Sequence, residues 1–339
     1  MVGDVLGPWS VPGRRDVPFD LLPGRRLAHR RRGRIRFHAA ENEKPVEARL
    51  KVFDPAESCH ASRLRVGQWL GRYRLQSRLG TGGFATVYAA YDTIEKRRVA
   101  IKVPMTHPTG DQTMEDVRRE VRIMGSLRHP HILSLECARS IDGRFVMVFP
   151  LGSETLADRF GRRLGRATAA EFARQMVSAV AYAHQRSVLH RDVKPENFIL
   201  FPENHLCLTD FGLARLERGG HAESASGTLG YIAPEQAMGK PSFRSDVFSL
   251  GLVIYRMLSG ELPEYPFAPP LPGFNRLRRG LSRDFVAWIR KSIDPIPSRR
   301  FRDAVAMHNA LGRIRSLTSE SRAGRTVVSR RRDTGRQAA

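Results

Sequence analysis

The stretch LHRDVKPENF, residues 189–198, sets a His, an Arg, an Asp, a Lys and an Asn within ten positions, with Pro195 among them. Proline lacks a backbone N–H and interrupts a helix, so the cluster belongs on a loop. Taken one at a time, these residues are ordinary turn chemistry facing water. Lys194 is less ordinary, because only 7 of the 57 basic residues are Lys and the other 50 are Arg.

Downstream of this loop lie LTDFGLA (208–214), SGTLGYIAPE (226–235) and the apolar run VFSLGLVIYRML (247–258). That run is too short to span a bilayer and carries an Arg, so it reads as a buried helix. Helical patterns are predicted again over 282–292 and 301–312. Upstream, TAAEFARQMVSAVAYAHQRS (168–187) places Phe172, Met176, Val180 and His184 at steps of four, which predicts a helix with one buried side.

The segment from Tyr73 to Leu151 has a different character. YRLQSRLG (73–80), ATVYAAYD (85–92) and RRVAIKV (97–103) predict an antiparallel meander. MEDVRREVRIMGSL (114–127) predicts a helix with acids in its first turn. ILSLECAR (132–139) and RFVMVFPL (144–151) predict two further strands. The expected architecture is α+β, a small strand-rich lobe followed by a larger helical one, and clefts between such lobes are common ligand sites.

Between the first two strands, LGTGGFATVY (79–88) offers backbone amides to a phosphate without a Cβ in the way. No Gly-Lys-Ser/Thr follows and no helix begins there, which excludes a P-loop. The strand-to-strand setting excludes a dinucleotide-binding fingerprint. The next strand carries Lys102, a second scarce lysine, and the following helix carries Glu120, a carboxylate able to hold it in place.

In this order and spacing, the glycine hairpin, Lys102 in VAIK, His190-Arg191-Asp192 with Asn197, Asp210-Phe211-Gly212 and Ala233-Pro234-Glu235 resemble the signature set of eukaryotic-type protein serine/threonine kinases, which bacteria also encode. The resemblance covers roughly residues 72–312. It implies a bilobal protein-kinase-like fold over 71–315, with an N-lobe of about 71–151 and a C-lobe of about 152–315. A basic extension (1–70) and a basic, disordered tail (316–339) would flank it.

The resemblance also implies roles. Asp192 orients the attacking hydroxyl, Lys194 sits on the γ-phosphate, and Lys102 paired with Glu120 grips the α- and β-phosphates. Asn197 and Asp210 hold Mg2+, or Mn2+ in its place. The hairpin residues Leu79, Gly80, Thr81, Gly82, Gly83, Phe84 and Ala85 cover ATP, and Val87, Ala100 and Ile199 sandwich the adenine. Met124, His190 and Phe211 stack as an internal spine, Glu235 pairs with Arg300, and Asp246 holds the catalytic-loop backbone. Ser224 and Ser226 are activation-loop phosphate acceptors, and Thr228 lies near Asp192 and Lys194. Ala85 replaces the third glycine of the hairpin, which implies mildly weakened ATP affinity. The hinge FVMVFPLGSETL (145–156) leaves open which of Met147, Val148 and Phe149 gates the adenine pocket.

Composition bounds the remainder. With 41% hydrophobic and 27% charged residues, the 339-residue chain reads as soluble and globular. Cys59, Cys137 and Cys207 lack paired spacing, which argues against a disulfide framework or a zinc site and for a reducing cytoplasm. The N-terminus lacks the apolar core of a signal peptide, and no transmembrane run is present. The net charge of +23, with Arg runs at 29–37 and 329–333, suits an acidic partner or nucleic acid by Coulomb attraction, though no stacking pattern accompanies it. Two function classes are in play, a kinase acting on protein Ser/Thr and a kinase-fold scaffold without catalysis. The presence of Lys102, Asp192 and Asp210 favours the enzyme.

Overall fold

Alternation along the strands decides what each face of the N-lobe sheet does. The computed structural model describes residues 64–82, 85–105, 114–162, 164–211, 229–267 and 269–318. Six strands form one antiparallel sheet: β1 (Trp69–Leu70), β2 (Tyr73–Thr81), β3 (Ala85–Asp92), β4 (Arg97–Pro104), β5 (Cys137–Ile141) and β6 (Arg144–Pro150). Their spatial order is β1-β2-β3-β4-β6-β5.

Successive strand residues point to opposite faces. Tyr88, Val99, Ile101, Val146 and Val148 therefore pack together in one apolar cluster with Leu70, Tyr73 and Leu75. Their neighbours Ala100, Met147 and Phe149 join the larger core that runs through the C-lobe.

Helix α1 (Met114–Ser126) crosses this second face, with Glu115 and Asp116 favourably placed in its first turn. Val117 and Met124 are buried. Glu120, three residues after the one and four before the other, shares their face and is aimed inward.

The C-lobe begins with β7 (Glu154–Thr155) and α2 (Leu156–Arg159), followed by α3 (Arg166–Gln185). The expected stripe of Phe172, Met176, Val180 and His184 is buried on α3. Strands β8 (Phe198–Phe201) and β9 (His205–Leu208) complete a three-stranded sheet with β7. Then come α4 (Pro234–Ala237), α5 (Phe243–Ser259), α6 (Phe274–Gly280), α7 (Arg283–Ser292) and α8 (Ala304–Gly312).

Helix α5 is buried on nearly all sides, as its apolar sequence requires. Each fully buried large apolar side chain along it contributes about 1.5–3 kcal/mol. Gly251 is required there, because a Cβ would stand 2.8 Å from the Cβ of Ser292 and 2.7 Å from Ile293 Cγ2.

Three expectations change in detail. The strand expected from Ile132 begins only at Cys137, because Leu133 and Leu208 are held in the C-lobe ladder: Leu133 N–H donates to Leu208 O at 2.8 Å and Leu208 N–H to His131 O at 2.9 Å. The lobe boundary expected at 71 falls inside the sheet, since β1 precedes it and Leu64 is buried, its carbonyl accepting from Tyr88 Oη at 3.2 Å. At the other end Leu317 is buried and Thr318 bridges Leu281, two elements within the tail expected from 316. The remainder of both flanks lies outside the described residues.

Candidate active site

Two carboxylates and one ammonium meet where the lobes face each other. Lys102, on β4, reaches Glu120 Oε1 of α1 at 2.8 Å and Asp210 Oδ1 at 2.5 Å. Burial would lower the Lys102 ammonium, but Asp210 and Glu120 outweigh it and hold its pKa above the ordinary range. Burial would likewise raise Asp210, and Lys102 reverses this to a net lowering. Asp210 sits at φ +56, a region that a non-glycine residue occupies only where its surroundings enforce it.

Pro195 starts a single 3-10 turn (Pro195–Asn197) in the 189–198 stretch, which turns Asn197 back on Asp192. Asn197 Nδ2 donates to Asp192 O at 2.7 Å and to Asp192 Oδ2 at 3.0 Å. Lys194 Nζ approaches the same Oδ2 at 3.0 Å. Asp192, with its side chain 32% exposed, is thus fixed yet open to solvent on one side.

The loop backbone hangs from Asp246. Its Oδ1 accepts from Arg191 N–H at 2.8 Å, and its Oδ2 accepts from His190 N–H at 2.8 Å. His184 completes the anchor. Its Nδ1 accepts from Ala304 N–H at 2.9 Å, so the ring proton lies on Nε2, which donates to Asp246 Oδ2 at 3.0 Å. Burial would raise Asp246, but the His184 hydrogen bond and the neighbouring histidines bring it below the usual aspartate value.

His190 is fixed by the same logic. Nδ1 accepts from Asp192 N–H at 3.3 Å, and Nε2 donates to Thr209 O at 2.9 Å. Its ring lies 4.7 Å from that of Phe211, which is fully buried in the core that contains Met124. The expected stack of Met124, His190 and Phe211 is therefore assembled from three separate segments.

The nucleotide-facing expectations fall together as well. Val87 stands opposite Lys102 in the β3/β4 ladder, and Ala100 stands opposite Phe149. Ala100 and Ile199 pack against the common core. A Cβ on Gly152 would collide with Ile199 Cγ2, so the hinge backbone lies directly on β8. Leu79, Gly80, Thr81 and Gly82 are exposed on the hairpin, while Ala85 is buried at its return. Gly83, Phe84, Gly212, Ser224, Ser226 and Thr228 lie outside the described residues.

The sequence reading missed three features. Met147 is the hinge residue opposite Lys102, and it faces the shared core whereas Val148 faces away. Its only sequence signal was strand alternation, which lacks a register. Gln236, buried at the start of α4, donates from Nε2 to Arg191 O at 2.6 Å and ties that helix to the 189–198 loop. Arg256 reaches Tyr231 Oη at 2.7 Å. Nothing local in the sequence marks either contact.

Residues 73–268 match the model of the protein kinase domain. The chain belongs to the protein kinase family. CBL-interacting protein kinase 30 of Oryza sativa subsp. japonica is 37% identical over 207 residues, covering 57% of this chain and 43% of that protein. Serine/threonine-protein kinase PknH of Mycobacterium bovis is 30% identical over 269 residues, covering 73% of this chain and 45% of the relative. Among solved structures, the PknI kinase domain of Mycobacterium tuberculosis is 26% identical with a TM-score of 0.54, covering 74% of this chain and 98% of that one. This kinase chain thus spans less than half the length of either of these two curated relatives.

No described helix is long and apolar enough to cross a membrane. Among the described residues, no group of three or more His, Cys, Asp or Glu is arranged to hold a metal ion.

Proposed function

We propose that this chain is a protein serine/threonine kinase that transfers the γ-phosphate of ATP to hydroxyls of protein substrates. The observation that carries the reading is the position of Lys102 between Glu120 and Asp210, with Asp192 held by Lys194 and Asn197 on the facing loop. Phosphoryl transfer asks for positioning and charge neutralisation more than for covalent help. The substrate oxygen attacks the γ-phosphorus, the bond to the β-phosphate oxygen breaks, and ADP leaves. Asp192 orients the hydroxyl and receives its proton.

Lys102 grips the α- and β-phosphates, with Glu120 keeping the ammonium in place. Lys194 moves from Asp192 to the γ-phosphate, and its place two residues after the base fits Ser/Thr rather than Tyr acceptors. Residues 79–85 cover the phosphates, Val87, Ala100 and Ile199 enclose the adenine, and Met147 gates the back of that pocket.

The oxygen donors of Asp210 and Asn197 suit Mg2+, a hard cation that takes few protein ligands and completes its shell with phosphate and water. Asn197 fits this use, because its Nδ2 is committed to Asp192 and its Oδ1 is the remaining donor. When bound, the ion neutralises phosphate charge and aligns the β- and γ-groups.

Phosphorylation of Ser224 or Ser226 sets an anion against Arg191 and regulates the loop. The net charge of +23 suits an acidic partner, and the unpaired Cys137 and Cys207 suit a reducing cytoplasm of a bacterial-style kinase.

The test is transfer of labelled γ-phosphate from Mg-ATP to the chain and to a generic basic protein, with wild type compared to Asp192→Asn. Label on Ser or Thr that disappears in Asp192→Asn is expected. No label from wild type while ATP still binds would overturn the enzyme and leave a scaffold.

A further inference from the structure

Arg256 is a half-buried cation that the phosphoryl-transfer machinery does not use. It leaves α5 and donates from one guanidinium nitrogen to Tyr231 Oη at 2.7 Å, while its guanidinium carbon lies 5.2 Å from the centre of the Phe160 ring at the end of α2. These are its only side-chain contacts among the described residues, and neither is a carboxylate. Contrast Arg300, whose side chain is fully buried and which has Glu235 and three backbone carbonyls around it. A half-buried guanidinium that the described residues give only a neutral phenol oxygen can still take an anionic acceptor, which it binds more strongly than a neutral one.

Tyr231 shows which anion is within reach. It lines one small hollow with Arg191, Asp192, Lys194, Gln236 and Ser249, so the residue that Arg256 holds borders the space beside Asp192. Burial pushes the Tyr231 phenol above its ordinary value and Arg256 pulls it back, which keeps the hydroxyl a neutral acceptor for the guanidinium. Glu196 is close enough for its charge to reach Tyr231, yet it forms no ion pair with Arg256.

We infer that Arg256 is a specificity-determining residue that binds an anionic side chain, a carboxylate or a phosphorylated residue, flanking the Ser or Thr to be phosphorylated. The planar guanidinium suits both, since each offers two oxygens to its paired N–H donors. The inference rests on the kinase reading above and adds a substrate class to it.

The experiment is a peptide set with a fixed Ser and, at each flanking position in turn, Asp, Glu, phosphoserine, Gln or Arg. Phosphorylation is measured for wild type, Arg256→Gln, Arg256→Lys and Arg256→Glu. Binding of the same peptides to Asp192→Asn is followed by fluorescence anisotropy, with and without the Arg256 changes. At one flanking position the anionic peptides are expected to be favoured about tenfold, in KM and in Kd rather than in kcat. Arg256→Lys keeps the preference, Arg256→Gln removes it, and Arg256→Glu turns it toward Arg. That last inversion cannot arise from a misfolded variant. The Asp, Glu and phosphoserine arms identify the source of the charge. A preference that is absent, or that Arg256→Glu leaves unchanged, would overturn the inference. Transfer to a generic protein judges the kinase reading separately, and the anisotropy decides the role of Arg256 whatever that result.

Discussion

Arg300 holds Glu235 with both terminal nitrogens, Nη1 to Oε1 at 2.8 Å and Nη2 to Oε2 at 3.1 Å, beneath the face of Phe248. The Arg300 side chain is fully buried. Breaking such a pair leaves one charge stranded, which costs about 3–5 kcal/mol, whereas replacing both partners by apolar groups costs far less. Arg300→Met and Glu235→Met should each lower Tm sharply, and the double variant should recover part of the loss. Thermal unfolding of the three proteins checks this.

Asp246 should make the fold sensitive to acid. Its folded pKa lies below the ordinary 3.8, so its contribution is present above that value and disappears as pH falls through the folded one. Asp246→Asn should therefore be less stable than wild type at neutral pH, with the gap narrowing in strong acid. Urea unfolding at pH 7 and at about pH 3 reads the difference.

His129 acts in a milder range. Burial, with added repulsion from His131, Arg186 and His308, lowers its pKa to about 4 from the ordinary 6.5. Its folded form holds fewer protons than the unfolded chain between those values, so stability is present above pH 6.5 and declines toward pH 4. His129→Gln should flatten the Tm profile across that interval.

Gln236 should matter to rate more than to nucleotide binding. Arg191 sits at φ +66, and the Gln236 amide holds its carbonyl at 2.6 Å, one residue before Asp192. Gln236→Leu removes that hydrogen bond and is expected to reduce kcat about tenfold. The KM for ATP should move little, and Gln236→Leu should keep its fold as judged by circular dichroism.

The sequence was most legible where chemistry is local. Asp192, Lys194 and Asn197 lie within six positions, so one short string carries their relationship, and the structure places them around a single carboxylate oxygen. Strand alternation also predicted the meander, and steps of four predicted the buried stripe on α3. Register was not legible: FVMVFP alternates whichever residue faces the cleft, and only pairing of Met147 with Lys102 decides it. Ile132 and Leu133 have the composition of a strand, yet the C-lobe ladder claims their backbone. Arg256, Gln236 and His184 find partners 25, 45 and 62 residues away, at distances no periodicity spans.

The bridge from Ala304 through His184 to Asp246 sets a schedule for the newborn chain. Asp192 is made early, but the histidine that steadies its anchor lacks one of its own partners until α8 has been synthesised. At about 5–20 residues per second, the stretch from Asp192 to Ala304 occupies the ribosome for on the order of ten seconds. The 189–198 loop therefore acquires this support only once α8, the last described helix, has been synthesised.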